Sequence, residues 1–382
     1  MAKKIGECEN VEPVHDLVVK YWGVRGSIPT PLNARQLRKK QVELLAKVAD
    51  NTELTEICEE AYQQGDDLDR EAISKLIEKI DDEGLALKGT YGGNTTCIEV
   101  QARNSPLIVI DAGTGIRELG NVLLGRIFSG ENLNPLDENV AKDNASLRNM
   151  HLFFTHYHWD HLQGFPFFAP AFLPMPDKKL NINFYGKRDA RENLSDVLIH
   201  QQQYPNFPVV WGDMPCGKYY HEMPRLESST FQVGDAKVTY QELTHPDSVF
   251  AYRIELAGKS FVCATDTEHK DTVDPRLVKL AAGADILYYD AQYTPEEYIG
   301  EIGVNKFDWG HSTYEWAVKN ALAADVGTVV LGHHDPAHDD FMLDEIARRA
   351  KNFRDEQLSL PENKGKELGV IMAYDGLEQR IL

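Results

Sequence analysis

Cysteine is scarce in this 382-residue chain, and what there is does not pair up. The five cysteines, Cys8, Cys58, Cys97, Cys216 and Cys263, are odd in number and scattered, with no Cys-x-x-Cys pair. That pattern argues against a disulfide framework or a zinc ribbon and for a reduced, cytoplasmic protein. A signal-peptide core is missing from the opening MAKKIGECENVEPVHD, and no apolar run is long enough to span a bilayer. Positive charge is short as well: Lys+Arg 40 stand against Asp+Glu 60, a formal net charge of -20. Such a surface repels polyanions at long range, which disfavours a nucleic-acid polymer as partner but leaves room for a local basic patch. Small anionic substrates stay open, because bound metal ions reverse the local field.

What the sequence does have is one dense cluster. Leu152 to Phe168 reads LFFTHYHWDHLQGFPFF. The apolar run Leu152-Phe153-Phe154 reads as a buried strand ending at Thr155. His156, His158, Asp160 and His161 follow within six positions, and imidazoles with a carboxylate are ligands for first-row divalent metals. His156 and His158 can converge on one ion because alternate residues of an extended segment point the same way. Asp160 and His161 fall past the bend, free to hold a second.

Before that cluster, Leu17 to Val24 reads as a strand running into the turn GVRGSIPTP. Arg25 there can meet either a substrate phosphate or a carboxylate. From Asn33 to Glu83, Leu37, Leu44, Leu45, Val48, Leu76, Ile77 and Ile80 recur at helical spacing, with a break at Gly65-Asp66-Asp67. Two or three amphipathic helices are expected, forming an insertion over 33–88 within a single domain spanning 1–382. It can serve as a cap, an oligomer contact in a homodimer, or a lid on the site. Gly92-Gly93-Asn94-Thr95-Thr96 opens a strand, Cys97 to Ala102, and Leu107 to Ile110 forms the next. The latter ends at Asp111-Ala112-Gly113, ahead of a helix from Ile116. A carboxylate delivered there suits the orienting of metal-bound histidines, although such turns are common.

Ser129 to Asn149 and Pro205 to Pro224 read as loops, Leu180 to Tyr185 as a strand and Asp189 to Gln202 as a helix. Further on, three strands again end in ligand-type residues. Val238 to Leu243 runs into His245, Ser260 to Ala264 into Asp266, and Thr328 to Leu331 into His333-His334-Asp335. With the first cluster these make a binuclear set, in which Asp266 has two oxygens to share between ions.

HxHxDH followed by a later His, Asp and His resembles the metallo-β-lactamase superfamily of binuclear hydrolases. The resemblance runs from about Tyr21 to the C-terminus, interrupted by the insertion. It implies an α/β fold, a four-layer αββα sandwich, with the site at one edge between the sheets. It also implies that His156, His158 and His245 hold one metal, that Asp160, His161 and His333 hold the second, that Asp266 bridges, and that Asp111 supports. Asp308-Trp309-Gly310-His311-Ser312-Thr313 is similar to the GHST segment of the PhnP and RNase Z-like phosphodiesterase branch. Tyr289-Asp290-Ala291-Gln292 stands where RNase Z proteins carry His-Glu-Ala-Thr. GVRGSIPTP, GGNTTC with Asn94, DAGTGI and HHDP fit the same branch. Flavodiiron proteins differ in carrying Glu where His158 stands. Tyr289 in place of His, and the lack of a glycine-rich basic arm, depart from RNase Z and weigh against tRNA processing.

The resemblance implies a reaction in which two ions about 3.5–4 Å apart share a hydroxide that attacks phosphorus in line. The leaving alkoxide needs a proton, which His311 would supply while held by Asp290; Asp160 serves on the metal side. His334 and Asp335 contact substrate or cap a turn. Zinc is the first-choice metal, with manganese or iron compatible with the mixed ligands. The expected activity is hydrolysis of small phosphodiesters, such as cyclic nucleotides or other cyclic phosphates. An RNA endonuclease, a lactone or thioester hydrolase, and a non-catalytic metal-binding scaffold are the alternatives.

Overall fold

The computed structural model describes residues 17–51, 55–56, 59, 84–137, 148–188, 193–225 and 228–381. In chain order come β1 (Leu17–Gly23), α1 (Ala34–Asp50), β2 (Cys97–Ala102), β3 (Leu107–Ile110), α2 (Gly115–Ser129) and β4 (Asn149–Phe153). Next are β5 (Asn181–Lys187), α3 (Leu194–Gln201), β6 (Gly217–Met223), β7 (Ser229–Val233), β8 (Ala236–Leu243) and β9 (Val249–Leu256). The rest are β10 (Lys259–Ala264), α4 (Pro275–Ala281), β11 (Ile286–Asp290), α5 (Pro295–Tyr298), α6 (Tyr314–Ala323), β12 (Thr328–Gly332), α7 (Asp340–Leu358), β13 (Gly369–Met372) and β14 (Glu378–Ile381).

These strands form two seven-stranded sheets, ordered β14-β1-β2-β3-β4-β5-β6 and β13-β12-β11-β10-β9-β8-β7. Alternation along each strand sends side chains to opposite faces and so builds separate cores. Tyr21, Ile110 and Phe153 of the first sheet meet Tyr252, Phe261 and Tyr288 of the second between the sheets. Leu152, Phe154 and Phe184 face Ile116, Leu119 and Leu123 of α2 and Leu198 of α3. Val262, Leu287 and Leu331 face Leu277 of α4, Ala317 and Ala321 of α6, and Ile346 of α7. Helix, sheet, sheet and helix make the four layers the sequence implied.

Strands β3 to β6 run parallel, as do β10 to β13. Parallel runs gather their carboxyl ends, and the crevice outside such ends is where α/β sheets place ligands. Asp111, Thr155 to His161, Asp266, Asp290 and His333 all lie at or just beyond those ends.

Helix α1 carries the first part of the expected insertion. Asn33 caps it, accepting from Arg35 and Gln36 backbone N–H groups. Lys40 ties it to the body, its buried ammonium meeting Asp340 and the Gly89 carbonyl. Leu76, Ile77 and Ile80 lie outside the described residues. The tract Pro205 to Pro224 is not wholly a loop, since its last part forms β6. That strand has no clear alternation because it is an edge strand, paired only with β5 and half exposed. The helix expected from Asp189 begins at Leu194, capped by Asn193, and 189–192 are outside the described residues. Among the described residues no helix is long and apolar enough to cross a membrane.

Candidate metal centre

The donors are set by strained strand ends. Asp111, Asp266 and His333 take φ values of 61°, 52° and 58°, in the left-handed region that non-glycine residues seldom occupy. Such turns throw each side chain back over the edge of its sheet, and strain of this kind gathers at functional sites. The result is two adjoining groups whose ligand atoms lie within 4.8 Å of one another: His156, His158 and His245, then Asp160, His161, Asp266 and His333.

One buried carboxylate fixes the imidazoles of both groups. Asp111 accepts from the Thr155 backbone N–H at 2.8 Å, the Thr155 hydroxyl at 2.9 Å and His161 Nδ1 at 2.8 Å. The hydroxyl, having donated to Asp111, accepts from His156 Nδ1 at 3.1 Å. Both rings therefore present Nε2 inward, as second-sphere partners of metal-binding histidines do. His161 Nε2 lies 3.3 Å from Asp160 and 3.2 Å from Asp266, and His333 Nε2 lies 3.2 Å and 3.1 Å from the same two carboxylates. His156 Nε2 is 3.8 Å from Asp266, and His245 Nε2 is 3.1 Å from His158 Nδ1. The other edge of His245 donates to the Gly310 carbonyl at 2.9 Å. Asp160 is itself held by the Ser27 backbone N–H at 2.8 Å.

Electrostatics divides the two groups. Burial pushes His156 well below the usual histidine range and lowers His158, and it takes His245 down to about 4. These imidazoles are neutral, the form that binds metal. Burial also opposes charge on His333, but Asp266, Asp160 and Asp290 outweigh it and raise the ring to about 9. His161 is raised in the same way by Asp266, Asp160 and Asp111. Burial works against ionisation of Asp160 and Asp266 too, yet His161 and His333 hold both well below the usual carboxylate range.

The donor set fits a divalent cation. Among the described residues buried His156 Nε2 finds no hydrogen-bond partner, so its lone pair is desolvated unless a cation meets it, and His161 Nε2 faces two carboxylates. Three neutral imidazoles on one side, and imidazoles with shared carboxylates on the other, are borderline-soft and hard donors suited to zinc, iron or manganese.

Beside the cluster stands a second device. His311 Nδ1 meets Asp290 at 2.8 Å, and the remaining Asp290 oxygen accepts the backbone N–H groups of Gln292 (3.1 Å) and Ser312 (3.0 Å). The His311 ring stacks on His333 at 4.9 Å with an interplanar angle of 18°. Asp290, His311, His333 and Asp266 also come within metal-binding range of one another. With Nδ1 engaged by Asp290, His311 has Nε2 left for chemistry. Sequence reasoning missed the residues that hold this segment. Glu268 accepts from Tyr298 and the Asp308 N–H, and buried His269 meets Ser312 Oγ at 2.9 Å between the rings of Tyr298 and Trp316. Their signal was present in TDTEH, directly after Asp266.

Three other candidates face elsewhere. Arg25 is buried and turned from the cluster, giving Nε to the Gly92 carbonyl, Nη1 to the His338 carbonyl and Nη2 to Asp340 at 3.7 Å. Of its two readings the structure shows the carboxylate. His334 Nε2 donates to the Ala373 carbonyl at 2.8 Å, and its backbone joins Val24 and Gly26, so it clasps strand ends together. Asn94 acts through its backbone, donating to Asp375 and accepting from Val24 and Arg25.

A family model described as the beta-lactamase superfamily domain matches residues 107–334. No curated protein matches the sequence. Among solved structures, the chain is similar to a diphosphatase from the PhnP family, with a TM-score of 0.52 at 16% identity over 96% of this chain and 98% of that one. The short form of human tRNase Z gives 0.53 at 14% identity over 96% and 99%. Zinc-bound PqqB from Methylobacterium extorquens gives 0.53 at 15% identity over 95% and 100%. At such identities these likenesses speak for the fold.

Proposed function

This chain belongs to the beta-lactamase superfamily, and from that premise we propose that it is a binuclear metal-dependent phosphodiesterase for small substrates, cyclic nucleotides or other cyclic phosphates among them. The observation that carries the reading is the 2.8 Å pairing of His311 with Asp290 at the rim of the metal cluster. His156, His158 and His245 would hold one ion, and Asp160, His161 and His333 the other, with Asp266 between them; zinc is the first choice, manganese or iron the alternatives. Bound ions would supply Lewis acidity toward phosphoryl oxygens and acidify a water molecule.

The protein's own residues do the rest. Asp111 and Thr155 hold His156 and His161 in the tautomer that aims Nε2 inward, and Ser27 and Gly310 fix Asp160 and His245. Asp290, receiving two backbone N–H groups, is anchored as an acceptor and keeps the His311 proton on Nδ1. Charged His311 can then give its Nε2 proton to a departing alkoxide, a step that general acids typically accelerate by roughly 10²–10⁴-fold. A thioester, whose thiolate leaves without a proton, would leave this pair without a task. The net charge of -20 supports small substrates over an RNA polymer.

The test is turnover of 3′,5′-cyclic AMP and bis(4-nitrophenyl) phosphate by zinc- and manganese-loaded protein, beside a thioester, a lactone and RNA. Metal-dependent hydrolysis of the two phosphodiesters is expected. Turnover confined to the thioester or lactone would contradict the reading, and salt-sensitive cleavage of RNA alone would replace it with a nuclease.

A further inference from the structure

Lys306 stands one aromatic ring from His311 and, among the described residues, without a carboxylate of its own. It lies half-buried on the loop after α5, with Nζ 4.0 Å from the centre of the Trp309 ring and 5.2 Å from that of Tyr293. Tyr293, 3% exposed, meets the His311 ring nearly edge-on at 5.9 Å. One aromatic ring therefore separates the ammonium from the imidazole assigned as the acid. Cations held on ring faces keep their charge and leave their N–H donors available.

Nearby cations are differently engaged. Lys270 pairs with Asp308 at 2.9 Å and Glu268 at 3.3 Å, and Arg25 is turned into the body. Among the described residues Lys306 has ring contacts only and no ion-pair partner. Its backbone is pinned: its N–H donates to the Tyr298 carbonyl at 3.0 Å, its carbonyl accepts from Trp309 at 3.1 Å, and Asp308 N–H is tied to Glu268 at 2.7 Å. A charge so placed before any ligand arrives loses little freedom on binding one.

Position decides what it would bind. The face of His311 is stacked on His333 and so on the metal cluster, whereas Tyr293 meets His311 at a steep angle and carries Lys306 on its own ring. The reacting phosphoryl group belongs with the metals, and His311 protonates what leaves. We propose that Lys306 anchors a second anionic group, a phosphate or carboxylate, carried by the leaving-group half of the substrate. This rests on the phosphodiesterase reading and adds to it a preference for phosphodiesters whose departing alcohol carries a second anion. Lys306 takes no part in bond-making: a water oxygen bonds to phosphorus and gives up a proton to solvent, the bond from phosphorus to the departing oxygen breaks with its electron pair going to that oxygen, and His311 supplies that oxygen's proton.

The experiment compares two methyl aryl phosphates whose phenols are matched in acidity, one bearing a carboxylate and the other an uncharged group. Metal-loaded full-length wild type, Lys306→Ala and Lys306→Arg are measured, and the ratio of kcat/KM for the two esters is taken within each protein, so that general damage cancels. Wild type should favour the carboxylate ester tenfold or more, chiefly through KM, and the preference should shrink as salt rises. Lys306→Ala should bring the ratio near one, and Lys306→Arg should keep most of it. Equal kcat/KM for both esters in wild type, or a ratio that survives Lys306→Ala, would overturn the assignment of Lys306 alone. Hydrolysis of neither ester would bring down the phosphodiesterase reading and this inference with it.

Discussion

Replacing Asp111 with asparagine should weaken both metal groups at once. Asp111 is fully buried and receives three hydrogen bonds while making none. A carboxylate suits that place because it only accepts, whereas an amide has one accepting end and one donating end. If the NH₂ end faces Thr155, a buried backbone N–H loses its partner, a cost of about 1–3 kcal/mol. If it faces His161, Nδ1 must accept, and the ring proton moves to Nε2, the atom aimed at Asp160 and Asp266. The Thr155 hydroxyl then also loses its acceptor, and with it the link that orients His156. Loss of such supporting contacts costs about 10–100-fold in metal affinity. Asparagine tolerates the positive φ of 61° about as well as aspartate, so the hydrogen bonds are the variable. With an unfolding entropy near 2.1 cal/mol/K per residue, 1–3 kcal/mol lowers Tm by only about 1–4 °C. Zinc competition against a chromophoric chelator, run beside thermal melts, is the assay. A folded variant that binds zinc within about twofold of wild type would refute the reasoning.

Three further outcomes are expected. Gly310→Ala should expel the ion from the three-histidine group, because φ is +91° and a Cβ would lie 2.2 Å from His245 Nδ1; metal analysis after dialysis should fall from two ions toward one. Burial pushes Asp375 up to about 6, against the Gly93, Asn94 and Arg25 contacts that favour its charge. Its folded pKa is thus above its unfolded one, so stability is undiminished below about 4 and falls by roughly 2–3 kcal/mol as pH rises to 6. Urea melts at pH 4 and 6 should show that slope reduced in Asp375→Asn, and an unchanged slope would contradict it. Asp340→Asn leaves buried Lys40 without its charge partner and should cost about 3–5 kcal/mol, read as a fall in urea midpoint.

The residues of the two donor groups were legible as candidates because each sits directly after an apolar strand, where a short window holds both the strand and the donor. The four layers were implied by the family resemblance that this ligand pattern carries. Of the residues that brace the ligand groups, Asp111 was legible at its strand end, whereas Ser27 and Gly310 were not, since Ser27 reaches Asp160 across 133 positions and Gly310 reaches His245 across 65. Backbone atoms do this bracing, and a sequence gives them no identity. Arg25 was ambiguous for a related reason: the Gly92 and His338 carbonyls that hold it are assembled only by the fold. Strand β6 escaped notice because edge pairing, rather than a buried face, defines it.

The measurement that bears most directly on the central claim is the dependence of kcat on leaving-group acidity for wild type and His311→Ala, across methyl aryl and alkyl phosphates with metal loaded. If His311 protonates the leaving oxygen, its removal costs about 10²–10⁴-fold for poor leaving groups and little for good ones, so the slope steepens. Asp290→Asn should move the same way. A uniform loss across the series, with the slope unchanged, would contradict the assignment of His311 and Asp290 as the proton-delivering pair.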